Sequence, residues 1–301
     1  MSNLVLLILC FIIGMLLHRS QRLPQNAPTT LNSFIIHVSL PALTLLYIHS
    51  MKLSGDVAMI AAMAWLCFAL SAGFFGLLGR LLKLSRSTTG ALILTGGLGN
   101  TSFFGLPMIE AYYGHDQLVT GIIVDQLGSF LVLSTLGITV AGLYSSGRPT
   151  ASEIMRRIVL FPPFIALIIA LLLIPVEYAP WFTALLKRLG DTLTPLALVS
   201  VGFQLRLGHL AGNTRNLAIG LGFKLLLAPL LISLLYVNLL QAHGATIQVT
   251  LFEAGMPPMI TAAIIATEHD LDPELSSLMV AAGLLLSFAT LSGWWWILQG
   301  I

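Results

Sequence analysis

Of 301 residues, 57% are hydrophobic and only 9% are charged, against about 25% charged residues in soluble domains. A mean hydropathy of +0.94 exceeds what a core wrapped in a polar surface allows, so lipid is the expected solvent. The net charge of +2 points to no nucleic acid. The two cysteines, Cys10 and Cys67, lie in apolar runs with no His/Cys cluster beside them, so no metal and no cofactor is expected.

A spanning helix needs roughly 20 apolar residues, and the chain offers ten such segments in order. They are Asn3–Leu17, Leu31–Ile48, Val57–Leu78, Gly90–Tyr113, Val119–Tyr144, Ile158–Ile174, Asp191–Leu207, Leu217–Leu240, Val249–Thr267 and Leu275–Leu298. The first lacks a basic leader and a small-residue cleavage site, and its positive residues, Arg19 and Arg22, follow the apolar run. It reads as a retained membrane helix, not a signal peptide. No window alternates with period two, which speaks against a β-barrel.

With the N-terminus outside, ten of the 14 Lys and Arg residues fall in inside loops: Arg19, Arg22, Arg80, Lys83, Arg86, Arg148, Arg156, Arg157, Arg206 and Arg215. Only Lys52, Lys187 and Arg188 fall outside, and Lys224 lies within a span. This asymmetry fits the positive-inside rule, with both termini outside a cell inner membrane. The inside loop from Ser145 to Arg157 divides the helices five and five, and odd-numbered halves joined this way have opposite topology. Residues 1–147 and 148–301 are therefore expected to be two inverted five-helix repeats.

Matching motifs support the repeat. The fourth span holds Gly99-Asn100-Thr101-Ser102-Phe103-Phe104-Gly105-Leu106-Pro107, and the ninth holds Glu253-Ala254-Gly255-Met256-Pro257-Pro258. Pro41 in the second span likewise matches Pro195 in the seventh. Pro and Gly free backbone groups from helical bonding, and in hydrocarbon such groups must face protein or a water-filled cavity. Helix halves that end at mid-depth then present N–H groups, which favour anions. A plain proline kink explains one such span; two in corresponding positions favour a substrate site, with helices four and nine broken near Pro107 and Pro257.

These residues resemble the auxin efflux carrier family, which includes bacterial members labelled malate or malonate transporters. The resemblance rests on Leu31-Asn32 to Pro41, on Asn100-Thr101 through Gly105-Leu106-Pro107, and on Pro195 to Leu205. It rests also on Gly255-Met256-Pro257 followed by Glu268-His269-Asp270-Leu271-Asp272-Pro273-Glu274-Leu275. It implies an all-α fold similar to the sodium/bile-acid symporters, with crossing broken helices four and nine, and a homodimer. Pro257-Pro258 stands where one proline is usual, and the long central loop of the plant carriers is missing.

Asn100, Thr101, Ser102 and Gln126 offer amide and hydroxyl groups near the Gly105, Pro107, Gly255, Pro257 and Pro258 backbone, and together form the expected substrate site. The alternative is that they glue helices together. Buried ionisable groups cost about 2.5–3.5 kcal/mol each at a helix centre and are functional by default. Glu253 is the expected proton or cation carrier, or else a structural partner of Lys224. Asp125 and Lys224 are expected to share a charge role, although Lys224 could instead snorkel to the inner surface. Glu110 could simply reach the outer surface. His37 and His49 read as structural, Gly73, Gly76 and Gly79 as packing contacts, and Trp294-Trp295-Trp296 as an interfacial belt.

The function expected is secondary transport of a small organic anion, by efflux and alternating access, coupled to protons or sodium. A sodium symporter of the bile-acid type is the alternative within transport. An intramembrane enzyme or a receptor is the alternative outside it, but no G-x-S-x-G, H-E-x-x-H or GxxxxGK[ST] occurs.

Overall fold

The computed structural model describes residues 2–49, 56–145, 152, 155–156, 159–174, 176–204 and 214–301. Lys52, Arg148, Arg157, Leu205, Arg206 and most of the 145–157 loop lie outside them, as does the side chain of His49. Among the described residues the chain is all helix, with one isolated antiparallel bridge and no strand. Backbone polar groups are thereby bonded within each segment, which is what a lipid solvent demands.

The helices are α1 (Ser2–Ser20), α2 (Ala27–Ile48), α3 (Asp56–Leu81), α4 (Arg86–Gly97), α5 (Leu106–Tyr113), α6 (His115–Tyr144), α7 (Pro162–Leu172), α8 (Pro180–Gly190), α9 (Leu193–Gln204), α10 (Thr214–Leu239), α11 (Ala245–Ala254), α12 (Ile260–Glu268) and α13 (Pro273–Leu298). Five of them, α2, α3, α6, α10 and α13, are continuous, apolar and long enough to cross a bilayer. Several carry π turns, in which the ladder admits one extra residue: Ile35–Ser39 in α2, Val124–Phe130 in α6 and Phe223–Leu227 in α10.

Local chemistry sets the starts. Ser85 caps α4 by accepting from the Thr88 amide at 2.9 Å. Asp272 caps α13 by accepting from the Leu275 amide at 3.2 Å, and Pro273 fills the first position, where no N–H is needed. Pro162 and Pro180 likewise open α7 and α8. The α8 helix was expected as loop. It forms because Phe182, Leu186, Leu189 and Gly190 recur at helical spacing and pack on α2, Gly190 directly against Leu43.

The chain divides into two compact units. The first comprises Met1–Gly55, Ser102–Ile122 and Arg156–Leu205. In it α1 packs along α9, and α2 packs along α7, α8 and α9. The α1–α9 contact is close because it is made by glycines. A Cβ on Gly14 would stand 2.2 Å from the Val199 carbonyl oxygen, and one on Gly202 would stand 2.2 Å from that of Phe11. Ser39 and Thr192 share a 2.7 Å hydrogen bond, and Ser200 donates to Asn32 at 2.6 Å. Across the outer face of α1, Val5, Ile8, Leu9 and Leu16 are exposed, a surface suited to lipid.

The second unit comprises Asp56–Thr101, Ile123–Met155 and Arg206–Ile301. Its core joins Phe68 and Phe75 of α3, Leu92 and Leu94 of α4, Val132 of α6, Phe223 of α10 and Met279 of α13. Phe74 stacks on Phe223 with ring centres 4.8 Å apart. Of the three α3 glycines read as packing contacts, only Gly79 is one, against Thr89; Gly73 and Gly76 face open space. The real close approach between α3 and α6 is at Gly128, where a Cβ would meet Ala64 at 2.9 Å. Each unit takes segments from both 1–147 and 148–301, so neither unit is a half of the sequence.

Candidate functional site

In the second unit the end of α4 and the break between α11 and α12 lie side by side. The α4 helix ends at Gly97 because Leu98 turns extended, with φ −112° and ψ 123°. The α11 helix ends at Ala254, Gly255 turns the chain, and helix resumes at Ile260 after an extended Met259. The exposed backbone of each interruption is satisfied by the other. The Asn100 amide donates to the Pro257 carbonyl at 2.8 Å, and the Met259 amide donates to the Leu98 carbonyl at 2.9 Å. This is the Gly99–Pro258 antiparallel bridge. Pro257 and Pro258 fit because neither amide is used in it.

The sequence placed the interruption of the fourth span at Gly105–Pro107. It lies instead at Leu98–Asn100, and Thr101–Gly105 is already helical as a π turn leading into α5. Pro107 occupies the first turn of α5, a position where a missing N–H costs nothing. Ser102, Gly105 and Pro107 belong to the first unit. The other nine expected residues, Asn100, Thr101, Asp125, Gln126, Lys224, Glu253, Gly255, Pro257 and Pro258, belong to the second.

Within that unit the polar side chains are almost wholly inaccessible. Asn100, Thr101, Lys224 and Glu253 are each 1% exposed, Asp125 is 3% and Gln126 is 0%. The Thr101 hydroxyl donates to the Asp125 carboxylate at 2.7 Å. Asp125 and Gln126 lie in the π turn of α6, and Lys224 lies in the π turn of α10. The Lys224 ammonium donates to the Ala254 carbonyl at 3.0 Å, at the broken end of α11, where helix carbonyls favour a cation. Lys224 therefore does not snorkel, and its hydrogen bond goes to this carbonyl rather than to Glu253. Its Nζ also stands 3.2 Å from where a Cβ on Gly99 would be, a tight approach that a side chain there would push on.

Among the described residues, neither carboxyl oxygen of Glu253 has a hydrogen-bond partner, and neither has the Asn100 side-chain nitrogen. An unmet buried polar group costs about 1–3 kcal/mol, and here a donor and an acceptor pair are both left open in the unit that holds the Gly99–Pro258 bridge. Glu253 also lies within electrostatic reach of Asp125 and Lys224.

The remaining ionisable candidate behaves differently. Glu110 is half-buried in the first unit, accepts from Thr194 at 2.6 Å and stands 3.4 Å from His115. With Asp191 it lines a small cleft there. His37 bonds the Ser33 carbonyl of its own helix at 2.8 Å, a structural contact. Sequence reading missed the aromatic residues that hold the π turns. Trp65 donates to the Leu127 carbonyl at 3.1 Å, and Trp294, assigned to an interfacial belt, is buried and donates to that of Leu225 at 2.8 Å. A buried tryptophan within a run of three looks like any interfacial run, so no local signal separates it.

Known proteins place this architecture. Residues 1–295 match the family described as membrane transport protein. An uncharacterized transporter of Methanothermobacter thermautotrophicus is 30% identical, with 98% of this chain and 95% of the relative covered. An uncharacterized transporter of Methanocaldococcus jannaschii is 27% identical over 92% of this chain and 91% of that protein. A hydrophobic, all-helical chain built around two interrupted helices, matched over nearly its whole length, belongs to the membrane transport protein family, that of the auxin efflux carriers.

Proposed function

We propose that the protein is a secondary active carrier that exports a small organic anion, a carboxylate, across the cell inner membrane by alternating access. The observation that carries this reading is the pair of interrupted helices with an open Asn100 amide beside them. A bare anion at mid-membrane is unfavourable by several kcal/mol unless protein dipoles solvate it. Asn100 supplies a fixed donor, Lys224 a charge, and the α12 N-terminus a set of free N–H groups. Thr101 and Gln126 complete the polar lining, and Gly255, Pro257 and Pro258 shape the backbone. Glu253, left without a hydrogen-bond partner among the described residues, takes the coupling proton as the anion leaves, and Asp125 shares that charge role.

The packing supports ten spans arranged as two inverted repeats. Exchanging span one with six and two with seven converts the α1–α9 contact into the α7–α2 contact, and both are present. The interruptions likewise exchange with one another. Among the described residues no arginine lies beside the two breaks, so no bidentate clamp on a dicarboxylate is provided there, which suits modest affinity and release on the far side.

The test begins with a thermal-shift screen of small carboxylates on purified protein, followed by flux into proteoliposomes. Asn100→Ala should abolish binding of the screened anion. Glu253→Gln should spare binding and flatten the pH dependence of flux. Full binding by the Asn100 variant overturns the placement of the site, and an unchanged pH profile in the Glu253 variant overturns its coupling role. Replacing sodium by choline during flux separates proton from sodium coupling: a collapse of flux assigns the coupling to sodium.

A further inference from the structure

The three tryptophans near the C-terminus divide sharply: Trp296 is 75% exposed, whereas Trp294 is 7% exposed. The buried ring makes two contacts in the second unit. Its indole N–H donates to the Leu225 carbonyl at 2.8 Å. Its Cδ1 stands 3.2 Å from where a Cβ on Gly255 would be. Leu225 follows Lys224 in the π turn of α10, and Gly255 is the residue at which α11 stops. One side chain on α13 therefore touches both the turn that carries the buried cation and the glycine that opens the interruption.

Physical chemistry gives this contact a purpose. A π turn shifts the helical ladder by a residue and weakens the match of its carbonyls with their usual donors. In hydrocarbon such a carbonyl must find a donor elsewhere. An indole is a rigid donor on a large apolar body, so it fixes the carbonyl while filling the space around it. The same device recurs on the other π turn of the site. Trp65 of α3 donates to the Leu127 carbonyl at 3.1 Å, within the Val124–Phe130 turn that carries Asp125 and Gln126.

We propose that Trp294 is a positioning residue. Its N–H holds the α10 π turn in the register that brings Lys224 to the Ala254 carbonyl, and its ring edge holds Gly255 at the end of α11. Trp65 does the same for the turn bearing Asp125 and Gln126. The functional consequence rests on the reading of Lys224 as a substrate contact; the positioning itself does not.

The experiment compares Trp294→Phe with the unaltered protein in lipid nanodiscs. Phenylalanine keeps an aromatic ring but removes the donor together with part of the indole's buried volume, so a reference window in the same unit separates a local effect from general loosening. Amide hydrogen exchange is followed in residues 219–230 and 252–260, with residues 89–97 of the same unit as reference. Exchange in the first two windows should rise about tenfold, the scale of one buried hydrogen bond, while the reference stays unchanged. Gly255→Ala, which crowds the ring, should loosen the same two windows. Unchanged exchange in both windows overturns the proposal, as does an equal rise in all three, the mark of general loosening. Radiolabelled malonate flux in proteoliposomes is measured in parallel, and should fall in Trp294→Phe at equal folded protein. If the unaltered protein moves no malonate yet the two windows still respond, the positioning stands and the choice of carboxylate falls. If malonate flux is present and Trp294→Phe leaves it intact, the link to Lys224 falls.

Discussion

Asp272 sits in the left-handed region at φ +42° and makes three hydrogen bonds, two of them through the carboxylate that alanine lacks. Its carboxylate accepts from the Leu275 amide at 3.2 Å and from the Thr88 hydroxyl at 2.8 Å, and its own amide donates to Ser87 at 2.7 Å. Ser87 in turn donates to the Asp270 carbonyl at 2.9 Å. The residue thus caps α13 and ties it to the start of α4 in the second unit. Asp and Asn tolerate positive φ better than other side chains do. Asp272→Ala should cost about 2–4 kcal/mol, the sum of a lost cap, a lost hydroxyl bond and backbone strain. Asp272→Asn, which keeps an acceptor and tolerates the conformation, should cost about 1 kcal/mol. Thermal unfolding in detergent ranks the two, and equal losses would show that the side chain does not act as a cap. The stretch from Glu268 to Leu275 carried part of the family resemblance, and this network gives it a structural cause. Asn100 and Glu253 were legible for another reason: a polar group inside an apolar run has to be explained. Trp294 was not, because its partners lie 69 and 39 positions away in sequence.

Among the elements, glycine separates cases that look alike in sequence. Gly14→Ala or Gly202→Ala places a methyl group 2.2 Å from a carbonyl oxygen of the opposing helix, so α1 and α9 must move apart. Overpacking of this kind costs about 1–3 kcal/mol. Gly73→Ala and Gly76→Ala meet nothing within 4 Å, and alanine in a helix interior is favoured by about 0.5–1 kcal/mol. A thermal scan of the four variants should therefore split into two that lose stability and two that gain or hold it. Equal losses at all four positions would mean that helix propensity, not contact, governs these sites. Hydrophobic runs predicted where helices lie, because length and apolarity are local properties. The interruption of the fourth span was misplaced by several residues for the opposite reason. Pro107 is a visible breaker but sits harmlessly in a first turn, whereas Leu98–Asn100 departs from helix to pair with residues near 258, a tertiary cause. The α8 helix escaped notice because Lys187 and Arg188 cut its apolar run too short to span a bilayer, an interfacial pattern that reads as loop.

For the molecule as a whole, the open question is which way the chain faces. The compact units mix the two halves of the sequence, so orientation follows from charge and not from the units. Arg19, Arg22, Arg80, Lys83, Arg86, Arg148, Arg156, Arg157, Arg206 and Arg215 fall on one side in an alternating count, and only Lys52, Lys187 and Arg188 on the other. Lys224, the remaining cation, is buried and bonded to Ala254, so it does not enter the count. Lys187 pairs with Asp191 at 3.3 Å just past the end of α8, but acidic residues count for little in this asymmetry. Positive loops stay in the cytoplasm because translocating them against the membrane potential is unfavourable, by about 2.3 kcal/mol per charge at 100 mV. We therefore expect both termini outside and the loop between Ser145 and Arg157 inside. Alkaline phosphatase fused after Gln299 should be active and green fluorescent protein there dark, with the reverse result after Gly147. An odd number of spans would place the C-terminus inside and make the fluorescent fusion after Gln299 bright. That result would remove the inverted repeat together with the topology, because two five-helix halves joined by an inside loop require both ends on the outer face.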